Sequence, residues 1–551
     1  MNSDAAGSSP WLDNLTGVRP VSLVIDPQLT AAAAEARANF ARGIADAYDH
    51  VMLALEHSAR REFAAADALF AKAQVLEPGN PATLTSLAIH HRRQGRFRDA
   101  VLACDEAIRH YPGYPDAWLE RASILASGGS IAAARDSYAR AAQLAPANAM
   151  AHAGLASLSA REGDHAAARH HAQRALMLDP ANAIAANALA SAELGAGLPD
   201  AAAALLEPLI ARIAVPTIER SFAHSLLADA RHRQRDHAAA FAHYQAANAD
   251  FAAIHAEDTA GQLDQTSFIE GLIAGFAATP DAAWHEAPGV QPGHAAQRHI
   301  FLLGYPRSGT TLVENILASL PGVAALEERP TFAAADRDHI AGSHADIVAG
   351  LARFAGYGGA QLDHYRRAYW DNVIASGVPT GAPAFVDMDP MKGTRLPFIA
   401  RMFPDARILM MRRDPRDVVW SCFKTSFAMS SQTLEYTTLE RTARHYDALM
   451  RLTEAALARL PLAIHIVDYH RLVRDFDAET EAMCAFAGLE WSEAVRSFDR
   501  TSKARGVSTA SVAQVGRGLY DGTRQWEPYA EYLEPVMPIL APWIAKFGYG
   551  D

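Results

Sequence analysis

Cysteine is scarce in this chain of 551 residues: Cys104, Cys422 and Cys484 are the whole complement, in no metal-binding or redox spacing. That excludes a disulfide scaffold and suits buried or idle thiols in a reducing compartment. Long apolar runs are missing too. Ile300–Leu303 and Gly271–Ala278 fall far short of the ~20 residues a membrane span needs. The opening MNSDAAGSSPWLDN has neither a basic n-region nor an apolar h-region, so no secretory signal is expected and the expected location is cytoplasmic. Nor is there an excess of positive charge. Fifty Lys and Arg against 62 Asp and Glu leave a formal charge of −12, so nucleic acid and anionic membrane are not expected partners and any anion site must be local. Half the residues are hydrophobic and 20% charged, the balance of a globular protein. The length allows about three domains, or two large ones.

What the first half does contain is a period. Pro78, Pro112, Pro146 and Pro180 stand 34 residues apart, and Gly95, Gly129, Gly163 and Gly197 keep the same step. Ala66, Ala100, Ala134, Ala168 and Ala202 form a third row, and Ala73, Ala107, Ala141 and Ala175 a fourth. Proline opens the loop after a helix, glycine permits the tight turn between antiparallel helices, and alanine lets helices approach closely. This helix–turn–helix unit resembles the tetratricopeptide repeat. Three full repeats are predicted over about 81–180, with degenerate ones at 45–80 and 181–213. Segment 226–252 looks like one more whose turn glycine is lost. One repeat cannot bury its apolar face alone, so the array is predicted to stack into a right-handed superhelix. Such arrays serve partner or peptide binding, or dock and position a neighbouring domain. The histidines here (His90, His91, His165, His170, His171) have no defensible metal-ligand spacing and read as solvated or interface residues.

The predicted layout is a flexible N-terminus over 1–30, a helical array over 31–265, a linker over 266–297 and a second domain over 298–551. Segment 279–298 is the proline- and glycine-rich part of that linker. The second domain opens with HIFLLGYPRSGTTLVENILASL: a buried strand over 299–304, a helix over 312–320, and Tyr305–Thr311 between them. A strand, a small-residue loop and a helix start aim backbone N–H groups at one point, with the positive end of the helix dipole behind them. It is an anion cradle. It is not a nucleoside-triphosphate loop of the G-x-x-x-x-G-K-[ST] type, because no lysine precedes Thr310-Thr311. Arg307 sits where a guanidinium fork can meet an oxyanion.

PRSGTT between strand and helix resembles the 5′-phosphosulfate loop of sulfotransferases that use 3′-phosphoadenosine-5′-phosphosulfate (PAPS). A second block, ARILMMRRDPRDVVWSCF, resembles the family's 3′-phosphate site, an arginine at a strand end followed eight residues later by a serine; Arg413 and Ser421 match that spacing. VDYHRLVRDF (467–476) and STASVAQVGRGLYDGTRQW (508–526) extend the likeness, which is greatest toward the tyrosylprotein-sulfotransferase branch. The resemblance implies an α/β, P-loop-like three-layer domain with a parallel sheet following the all-α repeat superhelix. It implies PAPS as co-substrate without a metal, bound by Pro306, Arg307, Ser308, Gly309, Thr310, Thr311, Arg413 and Ser421. Arg517 would reach the 3′-phosphate and Tyr520 would wall the adenine.

Sulfuryl transfer needs in-line placement, charge stabilisation and a base for the acceptor hydroxyl. Arg307 would stabilise the leaving group. The family's catalytic glutamate lies 21 residues after the loop arginine, which is Glu328 here, with Glu327 as its competitor. One position departs from the family. A D-K-x-P or N-K-D-P segment normally carries a lysine that assists transfer, and here Asp387-Met388-Asp389-Pro390 puts Met388 there. Either Lys392 replaces it, or the arginines suffice, or activity is reduced. The expected function is sulfuryl transfer to a hydroxyl of a peptide or protein tyrosine, a carbohydrate or a small molecule, with the repeats recruiting or orienting the acceptor. Two other readings remain: a binding scaffold with an inactive transferase-like domain, and a P-loop kinase or hydrolase, which the missing lysine disfavours.

Overall fold

The computed structural model describes residues 27–285, 296–379, 381–505 and 518–550. The N-terminus expected to be flexible therefore lies almost wholly outside the described residues. The chain divides into two compact units, one reaching to Val215 and including Phe222–Asp236, the other taking Pro216–Ser221 and everything from His237.

The first unit is built of antiparallel helix pairs: Ala47–Ala59 with Phe63–Leu76, Pro81–Arg93 with Phe97–His110, Pro115–Ser127 with Ile131–Leu144, Ala149–Glu162 with His165–Leu178, and Ala183–Gly195 with Pro199–Arg212. The periodic rows explain it. All four turn glycines adopt φ between +75° and +79°. Each is followed by a residue whose N–H reaches back across the turn, as Asp164 N does to Ser159 O at 2.9 Å and Leu198 N to Glu193 O at 2.9 Å. Both alanine rows are completely buried. Helix starts are capped where the sequence offers asparagine: Asn80, Asn148 and Asn182 each accept from the first turn. Each such cap contributes about 1 kcal/mol. Where the glycine row fails, the turn survives with a strained residue. Arg61 (φ +61°) and Arg235 (φ +64°) take the left-handed conformation, at roughly 1 kcal/mol each.

The second unit holds a five-stranded, all-parallel sheet: β1 (Arg298–Leu303), β2 (Val323–Glu327), β3 (Ala384–Met388), β4 (Arg407–Arg412) and β5 (Ala463–Asp468), in the order β2-β3-β1-β4-β5. Alternation along the strands feeds two cores. Ile300, Leu302, Val386, Met388, Leu409 and Met411 pack with Leu312, Val313 and Ile316 of the helix Thr310–Ala318. His299 and Phe301, on the other face, meet Tyr369 and Phe403. Among the described residues no helix is long and apolar enough to cross a membrane.

Two boundaries differ from the sequence expectation. The array was expected to run to 265, but the helix His237–Ile254 packs within the second unit: Phe241 stacks on Tyr532 at 3.9 Å and Asn248 donates to the Phe423 carbonyl at 2.9 Å. The expected linker begins with a helix, Gln265–Ala278. Its two glycines mimic linker composition, yet they serve packing. A Cβ on Gly275 would lie 2.9 Å from Leu351 and 3.1 Å from the Val348 Cα, so glycine is what lets the helix His344–Ala355 approach. Residues 286–295 of the linker lie outside the described residues.

Candidate active site

Ligands of open parallel sheets bind beyond the C-terminal strand ends, near the switch in strand order. In this sheet that edge is continuous: Glu328 N donates to Met388 O at 2.7 Å, Asp389 N to Leu302 O at 3.2 Å, and Gly304 N to Pro390 O at 3.3 Å. The residues just past β2, β3 and β1 are thus held side by side.

The loop after β1 is shaped by two glycines. A Cβ on Gly304 would lie 2.7 Å from Ser308 Oγ, and one on Gly309 (φ +108°) 2.8 Å from the Tyr469 ring. Ser308 N closes the turn on Tyr305 O at 3.0 Å. Pro306 is buried, and its carbonyl accepts from the Cys422 thiol at 3.5 Å. Burial pushes that thiol up to about 12, so it stays protonated. Ser308, Thr310 and Thr311 are buried as the helix Thr310–Ala318 begins. Arg307 sits at φ +69°, a conformation costing about 1 kcal/mol for a residue with a Cβ.

The second expected block lands beside the first. Arg413, just past β4, donates through Nη1 to the Arg307 carbonyl at 2.7 Å, and Arg307 Nε donates to Ser421 Oγ at 3.0 Å. Ser421 lies on the helix Pro415–Lys424. The two arginines and the serine form one cluster. The Arg413 guanidinium stacks 4.7 Å from the Tyr469 ring centre, and its Nε is buried with no partner among the described residues. Burial, with Arg413 adding to it, pushes the Arg307 guanidinium down to about 10, leaving it charged at neutral pH.

Glu328 follows the end of β2 at φ +43°. A bulky residue in this region signals local strain held by its surroundings. Its side chain reaches solvent. The protein packed around it, together with Asp389, Glu327 and Glu314, nevertheless pushes its carboxyl up to about 8, with Lys392 opposing. Met388 points into the hydrophobic core and is fully buried. Lys392 is buried in the turn Pro390–Arg395, its ammonium 2.5 Å from Asp387 and 4.0 Å from Asp389. Asp387 also accepts from Thr331 at 2.9 Å and Tyr369 at 2.8 Å.

The C-terminal segment closes over the arginine cluster. Tyr520 has an exposed ring; its hydroxyl accepts from Gln525 at 2.8 Å and its carbonyl from Tyr469 at 3.0 Å. Arg517 lies outside the described residues. Sequence reasoning missed Asp417, Tyr469 and Gly522, which fasten this segment, and Glu314, whose buried carboxylate accepts from Arg505 at 2.7 Å. Asp417 had a signal: it is the last residue of the R-D-P-R-D motif.

Residues 299–493 match the sulfotransferase family and residues 85–149 the tetratricopeptide repeat. The chain therefore carries a sulfotransferase-family domain behind a tetratricopeptide-repeat array. Among curated proteins it is similar to an uncharacterised protein of Aquifex aeolicus, 29% identical over 46% of this chain and 34% of that protein. The chain thus spans about a third of the length of that relative. It is also similar to protein-tyrosine sulfotransferase 1 of Danio rerio (27% identical, 45% of this chain, 72% of that protein) and to nodulation protein NoeE of Sinorhizobium fredii (27%, 38% and 58%). Among solved structures, the Cut9–Hcn1 hetero-tetramer of APC/C overlaps 40% of this chain and 43% of that chain at TM-score 0.37 and 16% identity.

Proposed function

We propose that the second unit transfers a sulfuryl group from PAPS to a hydroxyl acceptor. The observation that carries this reading is the convergence of Arg307, Arg413 and Ser421 at one corner of the sheet's C-terminal edge. The residues suit a bis-anionic adenosine donor: the absence of a Cβ on Gly309 lets the loop pack directly against the Tyr469 ring that Arg413 stacks on, and the Arg413 Nε is a buried donor with no partner among the described residues. Charge-assisted bonds from a guanidinium and a hydroxyl suit a 3′-phosphate. The loop N–H groups and Arg307 suit the 5′-phosphosulfate.

In this reading Glu328 takes the proton of the acceptor hydroxyl, the acceptor oxygen bonds to sulfur, and the bond from sulfur to the 5′-phosphate breaks. The products are a sulfate ester and 3′-phosphoadenosine-5′-phosphate (PAP). A base with its carboxyl raised to about 8 is matched to a proton transfer near neutrality. Lys392 supplies positive charge beneath the site, tethered to Asp387. Arg517 and Tyr520 complete the donor site, and the repeats recruit or orient the acceptor, a peptide or protein tyrosine or another hydroxyl compound.

One observation favours a second reading, a donor-binding domain without turnover: Met388 is sealed in the core where the family carries its lysine. Single-turnover release of PAP from PAPS, with and without a panel of phenolic and carbohydrate hydroxyls, separates the two. Acceptor-dependent release is expected. Tight PAPS binding with no release for any acceptor supports the second reading.

A further inference from the structure

The segment Tyr520–Trp526 is fastened by three side chains from three places on the sheet's C-terminal edge. Arg413, past β4, donates to the Gly522 carbonyl at 2.5 Å. Tyr469, past β5, donates to the Tyr520 carbonyl at 3.0 Å and accepts from Gly522 N at 3.3 Å. Asp417, one turn before Ser421 on the same helix face, accepts from Arg524 N at 2.9 Å and from Trp526 N at 3.3 Å. Asp417 is completely buried. A buried carboxylate is tolerated only when its oxygens are bonded, and both of these are taken by main-chain N–H groups of the segment. Between those two bonds the chain carries Arg524 at φ +60°, a strained conformation that persists only where its surroundings impose it.

We infer that Asp417 is a positioning residue for recognition of the donor's 3′-phosphate; this rests on the donor proposed above. By fixing the backbone at Arg524 and Trp526, it holds the Gly522 carbonyl against Arg413. Arg413 is then anchored at both ends, by the Arg307 carbonyl through Nη1 and by the Gly522 carbonyl through Nη2. A long flexible side chain pinned this way loses less freedom when it meets its ligand. Gly522 belongs to the same device, since a Cβ there would lie 2.8 Å from the Tyr469 hydroxyl and 3.4 Å from Arg413 Nη2. Burial raises the Asp417 carboxyl and Arg413 opposes that rise, consistent with the two acting together.

The test is calorimetric titration of the full chain with PAP and, separately, with adenosine 5′-monophosphate, which lacks the 3′-phosphate. For Asp417→Ala, PAP affinity falls about tenfold or more, as expected for lost hydrogen bonds to a charged group, while affinity for the monophosphate changes less than twofold. Asp417→Asn, which keeps the volume and one acceptor, falls between wild type and Asp417→Ala. Equal losses for both nucleotides would mark Asp417 as merely structural and overturn the inference, as would no loss for either. If Asp417→Ala melts too low to titrate, Asp417→Asn and Gly522→Ala carry the same comparison, with the same selective loss expected. The donor assignment fails separately, in wild type, if PAP binds no tighter than the monophosphate.

Discussion

The two units use the left-handed backbone region differently. In the repeats it serves to turn one helix back on another, whether the residue is glycine, as at Gly95, Gly129, Gly163 and Gly197, or arginine, as at Arg61 and Arg235. In the second unit three of its occupants are charged residues at the candidate site: Arg307, Glu328 and Arg524. A repeat turn relieved of strain should simply be more stable. In the proposed reading the costly conformations of Arg307 and Glu328 aim their side chains at donor and acceptor, so removing those side chains should alter binding and rate more than folding.

The largest effect is expected at Arg307. Arg307→Ala should lower kcat/KM for sulfuryl transfer by a factor on the order of 100–1,000, the loss typical of a transition-state donor, read from initial rates. Arg307→Gly should do the same even though glycine relieves the backbone. Next comes Glu328→Gln, which should lower turnover about 100-fold or more while PAP affinity stays within about twofold of wild type. The carboxyl is raised to about 8 and a base acts when deprotonated, so wild-type kcat should climb with pH and level off above about 8. That limb should vanish in the variant. A wild-type rate for Glu328→Gln moves the base elsewhere.

Smaller effects test the repeat side. Ala141→Leu forces three carbons into a fully buried helix contact and should cost about 1–3 kcal/mol, read by denaturant unfolding. Arg61→Gly should stabilise by about 0.5–1 kcal/mol because the turn already has a glycine conformation. A loss there would mean the Arg61 side chain, not its backbone, holds the turn.

Legibility in the sequence followed the same division. The repeats could be read because each 34-residue unit imposes the same local demand, so that Ala66 and Ala202 are buried for one reason, repeated. The strand, loop and helix start around Tyr305–Thr311 could be read because they form a local motif. The helix Gln265–Ala278 was hidden because Gly271 and Gly275 answer to distant partners, Ile347 and Leu351. The bond from Arg524 N to Asp417 spans 107 residues, and that from Arg505 to Glu314 spans 191. No local pattern announces such pairs. Met388 was legible as a departure from the family, and its burial in the core explains why the position carries no charge.

One titration bears most directly on whether a single donor engages both Arg307 and Arg413: PAP against magnesium ATP, in wild type, Arg307→Ala and Arg413→Ala. PAP should bind more tightly than magnesium ATP, and each substitution should weaken PAP by about tenfold or more. A preference for magnesium ATP, or indifference of PAP to either arginine, would contradict it.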